Sequence, residues 1–180
     1  MSSFAWSRRR VSSTLMLVTL AMTALQVTAE DTVLPQGARI MTPGEIHVLY
    51  RNRTWQWANG AGYMNDEGRR FTAAVGGDDG GSWAEGRWII TEKGQMCFSA
   101  TWHSAAGDYP AKTCFSHRID NGTIYQRRDP DGGWYTFRHA EPKQDDEANK
   151  LANADLVSDR MAAIRAELES TSSSELKKGE

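Results

Sequence analysis

Short runs of aromatic and β-branched residues alternate with turn-forming clusters through the middle of the chain. The clusters lie at residues 65–68, 76–81, 92–94, 107–110, 120–122 and 129–133, and each contains Gly with Asn, Asp, Pro or charged residues. Turns that recur this often, without helical periodicity between them, are typical of an antiparallel meander that closes as a barrel or folds as a sandwich. The pattern predicts a mainly β, barrel-like domain of about seven strands over residues 42–139.

A short helix is predicted immediately before these strands. Residues 42–45, Thr-Pro-Gly-Glu, fit a capping box with proline at the first helical position. Ile46, Leu49 and Tyr50 follow at helical spacing. We expect about two turns of helix that plug one end of the sheet.

A second helix is predicted after the strands. Residues 143–178 contain no Gly, Pro or aromatic residue, and the apolar residues Val157, Met161, Ile164 and Leu168 recur on one helix face. The helix is either mobile or docked on the surface, and a short coiled coil or partner-binding helix is the alternative. Because Ser and Lys dominate from Ser170 onward, residues 140–180 are predicted as a helical, partly disordered tail.

The amino terminus has the pattern of an export signal. Three arginines at residues 8–10 precede an apolar stretch over residues 11–25, and Val27-Thr28-Ala29 supplies small residues before a cleavage site. An apolar stretch of about 15 residues is shorter than the roughly 20 needed to span a bilayer. We therefore expect residues 1–29 to be a cleaved signal peptide, residues 30–41 to be a linker, and the protein to be periplasmic or secreted, with no transmembrane span after cleavage.

Charge and composition exclude one class of partner. The chain has 21 basic and 23 acidic residues; removal of residues 1–29 takes away three arginines and no acid, which leaves 18 against 23 and a net charge of −5. A dedicated nucleic-acid binder carries a basic excess. No nucleic-acid partner is expected.

The two cysteines predict the geometry of one hairpin. An even cysteine count in an exported chain favours a disulfide, here Cys97–Cys114. Both residues are equidistant from the midpoint between Ala105 and Ala106, as directly opposed residues of a symmetric hairpin would be. Alternation then assigns one core-facing set, Met96, Phe98, Ala100, Trp102, Tyr109 and Phe115, and places the disulfide on the other face with Ser99, Thr101, His103, Lys112 and Ser116.

A second aromatic row lies near the first predicted strand. Trp55, Trp57 and Tyr63 are predicted to lie on one face of their strand. These rings either pack in the core or form a surface that stacks on sugar rings or apolar ligands. Gly60 and Gly62 within the same run indicate a bend or the close approach of another backbone.

Trp88 joins the candidate ligand-binding residues through a short motif. Gly86-Arg87-Trp88 has the Gly-x-Trp spacing of lipocalin first strands, although it lies in the third predicted strand. The candidates for ligand binding are therefore Trp55, Trp57, Tyr63 and Trp88.

The sequence contains no recognisable catalytic motif. A nucleophile elbow, an HExxH motif, a P-loop and a dinucleotide-binding loop are all missing. The four histidines, His47, His103, His117 and His139, lack metal-ligand spacing. Glu85, between Trp83 and Trp88, is the best candidate for a glycosidase carboxylate, but no partner acid is identifiable. No cofactor, metal or catalytic residue is predicted.

Several of these runs together resemble one family. The capped helix, the runs TWQWANGAGYM, RFTAAVGG and SWAEGRWIITEKGQMCFSATW, the second cysteine and the run GGWYTF together cover residues 42–137. They resemble the exported alphaproteobacterial proteins grouped as domain-of-unknown-function family 995. The resemblance implies a small periplasmic or envelope β-protein of undefined molecular activity, and it supplies no catalytic residues.

The expected function is a non-enzymatic binding or accessory role in the cell envelope. The expected partner is an envelope protein, a glycan or an apolar small ligand. Two alternatives come from other classes: a glycan-acting enzyme that uses Glu85, and an inhibitor or partner-binding module that uses the carboxy-terminal helix.

Overall fold

Residues 32–76 and 80–178 are described by the computed structural model of the protein. The predicted signal peptide at residues 1–29 and the centre of the turn cluster at residues 76–81 lie outside the described residues. Within these two ranges, ten strands, two α-helices and two 3₁₀ helices follow one another. In chain order they are β1 (Arg39–Ile40), α1 (Pro43–Tyr50), β2 (Arg53–Trp57), β3 (Gly60–Met64), a 3₁₀ helix (Glu67–Arg69), β4 (Arg70–Val75), β5 (Ser82–Ile90), β6 (Gln95–Ser104), β7 (Gly107–Asp120), β8 (Thr123–Arg128), β9 (Tyr135–Arg138), a second 3₁₀ helix (Glu147–Lys150), β10 (Leu151–Ala152) and α2 (Ser158–Lys178).

The strands form a curled antiparallel half-barrel, which confirms the predicted mainly β fold. Nine strands follow the order β10-β2-β3-β4-β5-β6-β7-β8-β9, and β1 pairs with β7. The expected number of about seven is too low for two reasons. A two-residue turn at Ala58 and Asn59 divides one predicted strand into β2 and β3, and the two-residue strands β1 and β10 are too short to produce an alternating pattern.

The β6–β7 hairpin has the predicted register. Cys97 is directly opposite Cys114, and the two form a disulfide. Trp102 is opposite Tyr109, and the turn consists of Ala105 and Ala106. Residues 107–110, predicted as a turn from their composition, therefore begin β7, because the cross-strand pairing extends to the end of the hairpin.

Helix α1 begins with the predicted capping box. The Thr42 hydroxyl accepts a hydrogen bond from the Glu45 amide, and the Glu45 carboxylate accepts one from the Thr42 amide. The Arg39 guanidinium also contacts Glu45 at 2.6 Å, and this hydrogen bond is the largest reason that the pKa of Glu45 is lowered to about 2. The helix buries Ile46 and Tyr50 in the core on the concave side of the sheet.

The turn at Ala58 and Asn59 corrects the predicted face of Tyr63. Trp55 pairs with Gly62 and Trp57 pairs with Gly60, so Tyr63 lies on the opposite, convex face, where it pairs with Thr54. A two-residue turn shifts the alternation of the returning strand, so the odd-numbered positions of β2 and β3 no longer share a face. The three aromatic residues of the predicted row are therefore divided between two faces.

The convex face is covered by α2, as expected for a docked helix. Val157 and Ile164 are buried against Trp83, and Met161 and Leu168 pack on the same cluster. These four residues are the apolar helix face predicted from their spacing. The helix extends to Lys178, beyond the position where the composition predicts disorder, and no Gly or Pro is present to end it earlier.

Among the described residues, no helix has the length and apolar character needed to cross a bilayer.

The segment before α2 belongs to the sheet, although its composition predicts a helical tail. Leu151 is buried and pairs with Trp55. The buried Thr54 hydroxyl donates to the carbonyl of Ala154 at 2.6 Å and accepts from the Leu156 amide at 3.1 Å. Strand β10 therefore extends the sheet beyond β2, and hydrogen bonds to Thr54 hold the segment that follows it.

Candidate functional site

A cavity of about 430 Å³ lies on the concave face of the half-barrel. Its size falls within the roughly 300–1,000 Å³ range of small-molecule sites. Trp55 separates the cavity from α1, because its ring lies 6.0 Å from that of Tyr50 and also lines the cavity. Six of the twelve residues that line it are aromatic: Trp55, Trp57, Phe71, Phe98, Trp102 and Phe115.

The aromatic rings of the wall support one another. Phe71 and Phe98 stack with their ring centroids 4.2 Å apart. Trp55 meets Phe115 edge-on at 4.9 Å, and Phe98 meets Phe115 edge-on at 6.3 Å. Stacked and edge-to-face pairs of this kind are favourable geometries that restrict ring motion. The wall is therefore ordered by contacts within the protein.

Small residues on the sheet floor leave the space that the rings surround. Ala100 on β6 pairs with Gly86 on one side and with Ala111 on the other. Ala100 and Ala111 both line the cavity. Larger side chains at these two positions would occupy the cavity, so the empty volume depends on side-chain size as well as on sheet curvature.

Trp57 reaches across β3 because that strand carries glycines. A Cβ atom on Gly60 would lie 2.4 Å from Nε1 of Trp57, and one on Gly62 would lie 3.4 Å from its Cη2. Gly60 and Gly62 thus leave room for the Trp57 ring, whereas the sequence predicts that they allow a bend or the close approach of another backbone. Trp57 is 38% exposed and marks the side on which the cavity opens.

Among the described residues that line the cavity, three have a charged or hydroxyl side chain: Thr113, Arg128 and Glu147. Trp55 Nε1 donates to Oε1 of Glu147 at 3.0 Å, and Lys150 Nζ contacts the other carboxylate oxygen at 2.7 Å. Arg128 pairs with Phe115 across the strands and is exposed. The site is therefore an apolar cavity with a small charged corner.

The cavity contains two of the four predicted ligand-binding residues. Trp55 and Trp57 line it, whereas Tyr63 packs beneath α2 on the other side of the sheet. Trp88 is fully buried, donates from Nε1 to the carbonyl of Asn65 at 2.8 Å, and lies beneath the Arg69 guanidinium at 4.4 Å. Trp88 therefore has a core position outside the cavity.

The remaining cavity residues differ in how visible they are in the sequence. Phe98, Trp102 and Phe115 belong to the face derived from the disulfide register, which the sequence predicts to be core. Arg128 and Glu147 carry no motif. They reach the site because β8 and the second 3₁₀ helix lie on either side of the sheet opening.

Comparison with known proteins identifies the family. The family model described as "Protein of unknown function (DUF995)" matches residues 16–157. The chain belongs to this family. No curated protein and no solved structure matches it.

The DUF995 match extends beyond the strands that carry the resemblance in the sequence. It ends at residue 157, so it includes Glu147 and β10 and stops where α2 begins. The DUF995 region thus contains every described residue that lines the cavity, and α2, on the opposite face, lies outside the match.

Glu85 does not lie in the cavity of this DUF995 protein. It is exposed on the convex face, between Thr72 and Thr101 of the neighbouring strands.

Three of the four histidines each contact an aspartate. The pairs are His47–Asp66 at 2.6 Å, His103–Asp108 at 2.7 Å and His139–Asp146 at 2.5 Å. These hydrogen bonds are the largest cause of the lowered pKa of Asp66 and Asp146. No group of three metal-ligating side chains occurs within residues 32–76 and 80–178.

The fourth histidine belongs to a buried polar cluster beneath α1. His117 Nε2 and the Tyr50 hydroxyl are 2.8 Å apart, Gln126 Nε2 lies 2.6 Å from that hydroxyl, and the Tyr135 hydroxyl donates to Gln126. Burial lowers the pKa of His117 to about 4, and burial raises the pKa of Tyr50 and Tyr135 above the ordinary range. The cluster is therefore neutral near pH 7 and joins α1 to β7, β8 and β9.

Proposed function

We propose that this protein is a non-enzymatic binding or accessory protein of the cell envelope, and that it holds an apolar small molecule in the concave cavity. The observation that carries the proposal is the 430 Å³ cavity walled by six aromatic rings. Transfer of apolar surface from water into such a site is favourable by roughly 25 cal/mol per Å². An apolar ligand fits this lining better than a glycan, because sugar hydroxyls need more polar partners than the three available.

The envelope location is supported by the predicted export signal and by the disulfide. A disulfide persists in oxidising compartments such as the periplasm and is rare in the bacterial cytosol. After expression of the full chain, we expect the processed protein in the periplasmic fraction, with an amino terminus at Glu30 and no free thiol. Unprocessed protein with two reactive thiols in the cytosol would overturn this part of the proposal.

Ligand binding can be tested with a neutral fluorescent probe, N-phenyl-1-naphthylamine. The probe's emission should rise on addition of the wild-type protein. With the variant Ala111→Phe, in which the new ring fills the cavity, the emission should stay close to that of free probe. Thr101→Phe is the matched control, because it adds the same ring to the convex face of the same hairpin. Equal probe binding by both variants would place the probe elsewhere and overturn the proposal.

Tryptophan emission gives a second, independent readout. Titration with an apolar ligand should shift the emission of the wild type, and Trp57→Ala should remove most of the shift without a change in circular dichroism. Trp134→Ala is the control, because Trp134 lies outside the cavity beneath Arg127. A panel of oligosaccharides measured in parallel distinguishes an apolar ligand from a glycan. A response to oligosaccharides alone would show that the ligand is a glycan and would overturn the apolar assignment.

A further inference from the structure

Arg128 is the one charged residue of the cavity whose side chain has no partner among the described residues. It lines the cavity, is exposed, and lies directly across from Phe115. Its neighbour Arg127 shows the contrast. The Arg127 guanidinium contacts Asp129 at 3.2 Å and lies 5.1 Å from the Trp134 ring. Arg127 is thus occupied by internal contacts, whereas the Arg128 guanidinium is available to a ligand.

The second charged residue of the cavity is already compensated. Both carboxylate oxygens of Glu147 have donors, one from Trp55 Nε1 and one from Lys150 Nζ. Lys150 also balances the negative charge. The electrostatic field at the apolar cavity therefore has a net contribution from Arg128, and this contribution favours an anion.

From these contacts we propose that the natural ligand is an amphipathic anion, whose apolar chain lies among the aromatic rings and whose carboxylate or phosphate head group pairs with Arg128. This inference rests on the proposed function and specifies its ligand class. A guanidinium matches both head groups because its planar N–H donors pair with two oxygens at once. Thr113, on the neighbouring strand, adds a hydroxyl donor to the same cavity.

Binding of four compounds with the same twelve-carbon chain tests the proposal: dodecanoate, monododecyl phosphate, dodecan-1-ol and dodecylamine, each below its micelle-forming concentration. Wild-type protein should bind an anionic compound about two- to fivefold more tightly than the alcohol, the gain expected of an exposed ion pair. The amine should bind more weakly than the alcohol. The anion with the larger advantage identifies the head group.

Two variants separate the head-group contact from general charge effects. Arg128→Gln should remove the advantage of the anion, so that the variant binds the anion and the alcohol with equal affinity. Lys112→Gln removes the same charge from the convex face of the adjacent strand and should behave as the wild type. If the two variants weaken anion binding equally, the preference for the anion comes from long-range attraction to the net charge. That result would overturn the assignment of Arg128.

Failure of this inference differs from failure of the proposed function. If wild-type protein binds the alcohol and the anions equally, the cavity is an apolar site and the role of Arg128 is wrong. If none of the four compounds binds, both the anionic ligand and the apolar ligand-binding function are wrong.

Discussion

Trp55 Nε1 donates a hydrogen bond to Glu147 across a separation of 92 residues along the chain. The bond joins β2 to the second 3₁₀ helix, which lies immediately before β10. It also holds the Trp55 ring against the cavity and leaves the Glu147 carboxylate satisfied. One contact thus connects the closure of the sheet with the shape and charge of the candidate site.

Loss of the Glu147 carboxylate should destabilise the fold. Because Trp55 is only 7% exposed, Glu147→Ala leaves its N–H without an acceptor, at an expected cost of about 1–3 kcal/mol in the free energy of unfolding. Urea denaturation measures this loss. Glu141→Ala, an exposed residue of the same segment, should change the free energy by no more than about 0.5 kcal/mol. Equal losses in the two variants would contradict a structural role for the Trp55–Glu147 bond.

Removal of the disulfide should lower stability without a change of register. Cys97 and Cys114 close a loop of 17 residues, so Cys97→Ala combined with Cys114→Ala should cost about 3 kcal/mol in the free energy of unfolding. Denaturation with and without a reducing agent measures the effect. The double variant is the control for the reducing agent. The agent should destabilise the wild type and leave the double variant, which has no disulfide, unaffected.

Stability should fall between pH 6.5 and pH 4 because of His117. Burial lowers the pKa of His117 from 6.5 to about 4, so in this interval the unfolded chain binds a proton that the folded protein excludes. The free energy of unfolding should therefore decrease as the pH falls, by at most about 1.4 kcal/mol per pH unit from this group. Denaturation at several pH values should show a shallower slope for His117→Gln than for the wild type.

A direct titration checks the same group without a substitution. The imidazole resonance of His117 should keep the chemical shift of the neutral form from pH 8 down to pH 5. A midpoint near pH 6.5 would show that His117 is not buried and would contradict the cluster with Tyr50 and Gln126.

Helix α2 should be held on the convex face mainly by Ile164. This side chain is buried against the sheet, and a Cβ atom on Gly81 would lie 2.7 Å from it. Ile164→Ala should lower the free energy of unfolding by about 2–4 kcal/mol if α2 unfolds together with the sheet. Ala163→Ser, at the exposed neighbouring position, is the control. A loss in helical circular dichroism before the sheet unfolds would show instead that α2 detaches independently.

The sequence predicts best the features whose partners are close along the chain. The Thr42–Glu45 capping box joins residues three positions apart, and the Cys97–Cys114 register depends on one symmetric hairpin. By contrast, the face of Tyr63 depends on whether a turn lies at Ala58 and Asn59. The dipeptide Asn59-Gly60 is a turn signal, but it lies within a run whose aromatic positions also fit one continuous strand. A single uncounted turn reverses the alternation of the strand that follows it.

The candidate site was only partly visible for a related reason. Trp55 and Trp57 attract notice as aromatic residues, and the register derived from the cysteines places Phe98 and Phe115 together. Alternation shows which side chains share a face, but it does not show whether they meet in a filled core or surround a cavity. That distinction depends on the curvature of the sheet and on the small residues opposite the rings, such as Ala100 and Ala111.

The sequence by itself determined the mainly β class, the first helix, the disulfide hairpin and the apolar face of α2, because hydrogen-bonding propensity and side-chain alternation act over short stretches of chain. Only the tertiary structure decided that the half-barrel keeps an open aromatic cavity and that Arg128 and Glu147 meet it from distant segments. Those features arise when strands far apart in sequence curve toward one another, and no local pattern of residues specifies the space that remains between them.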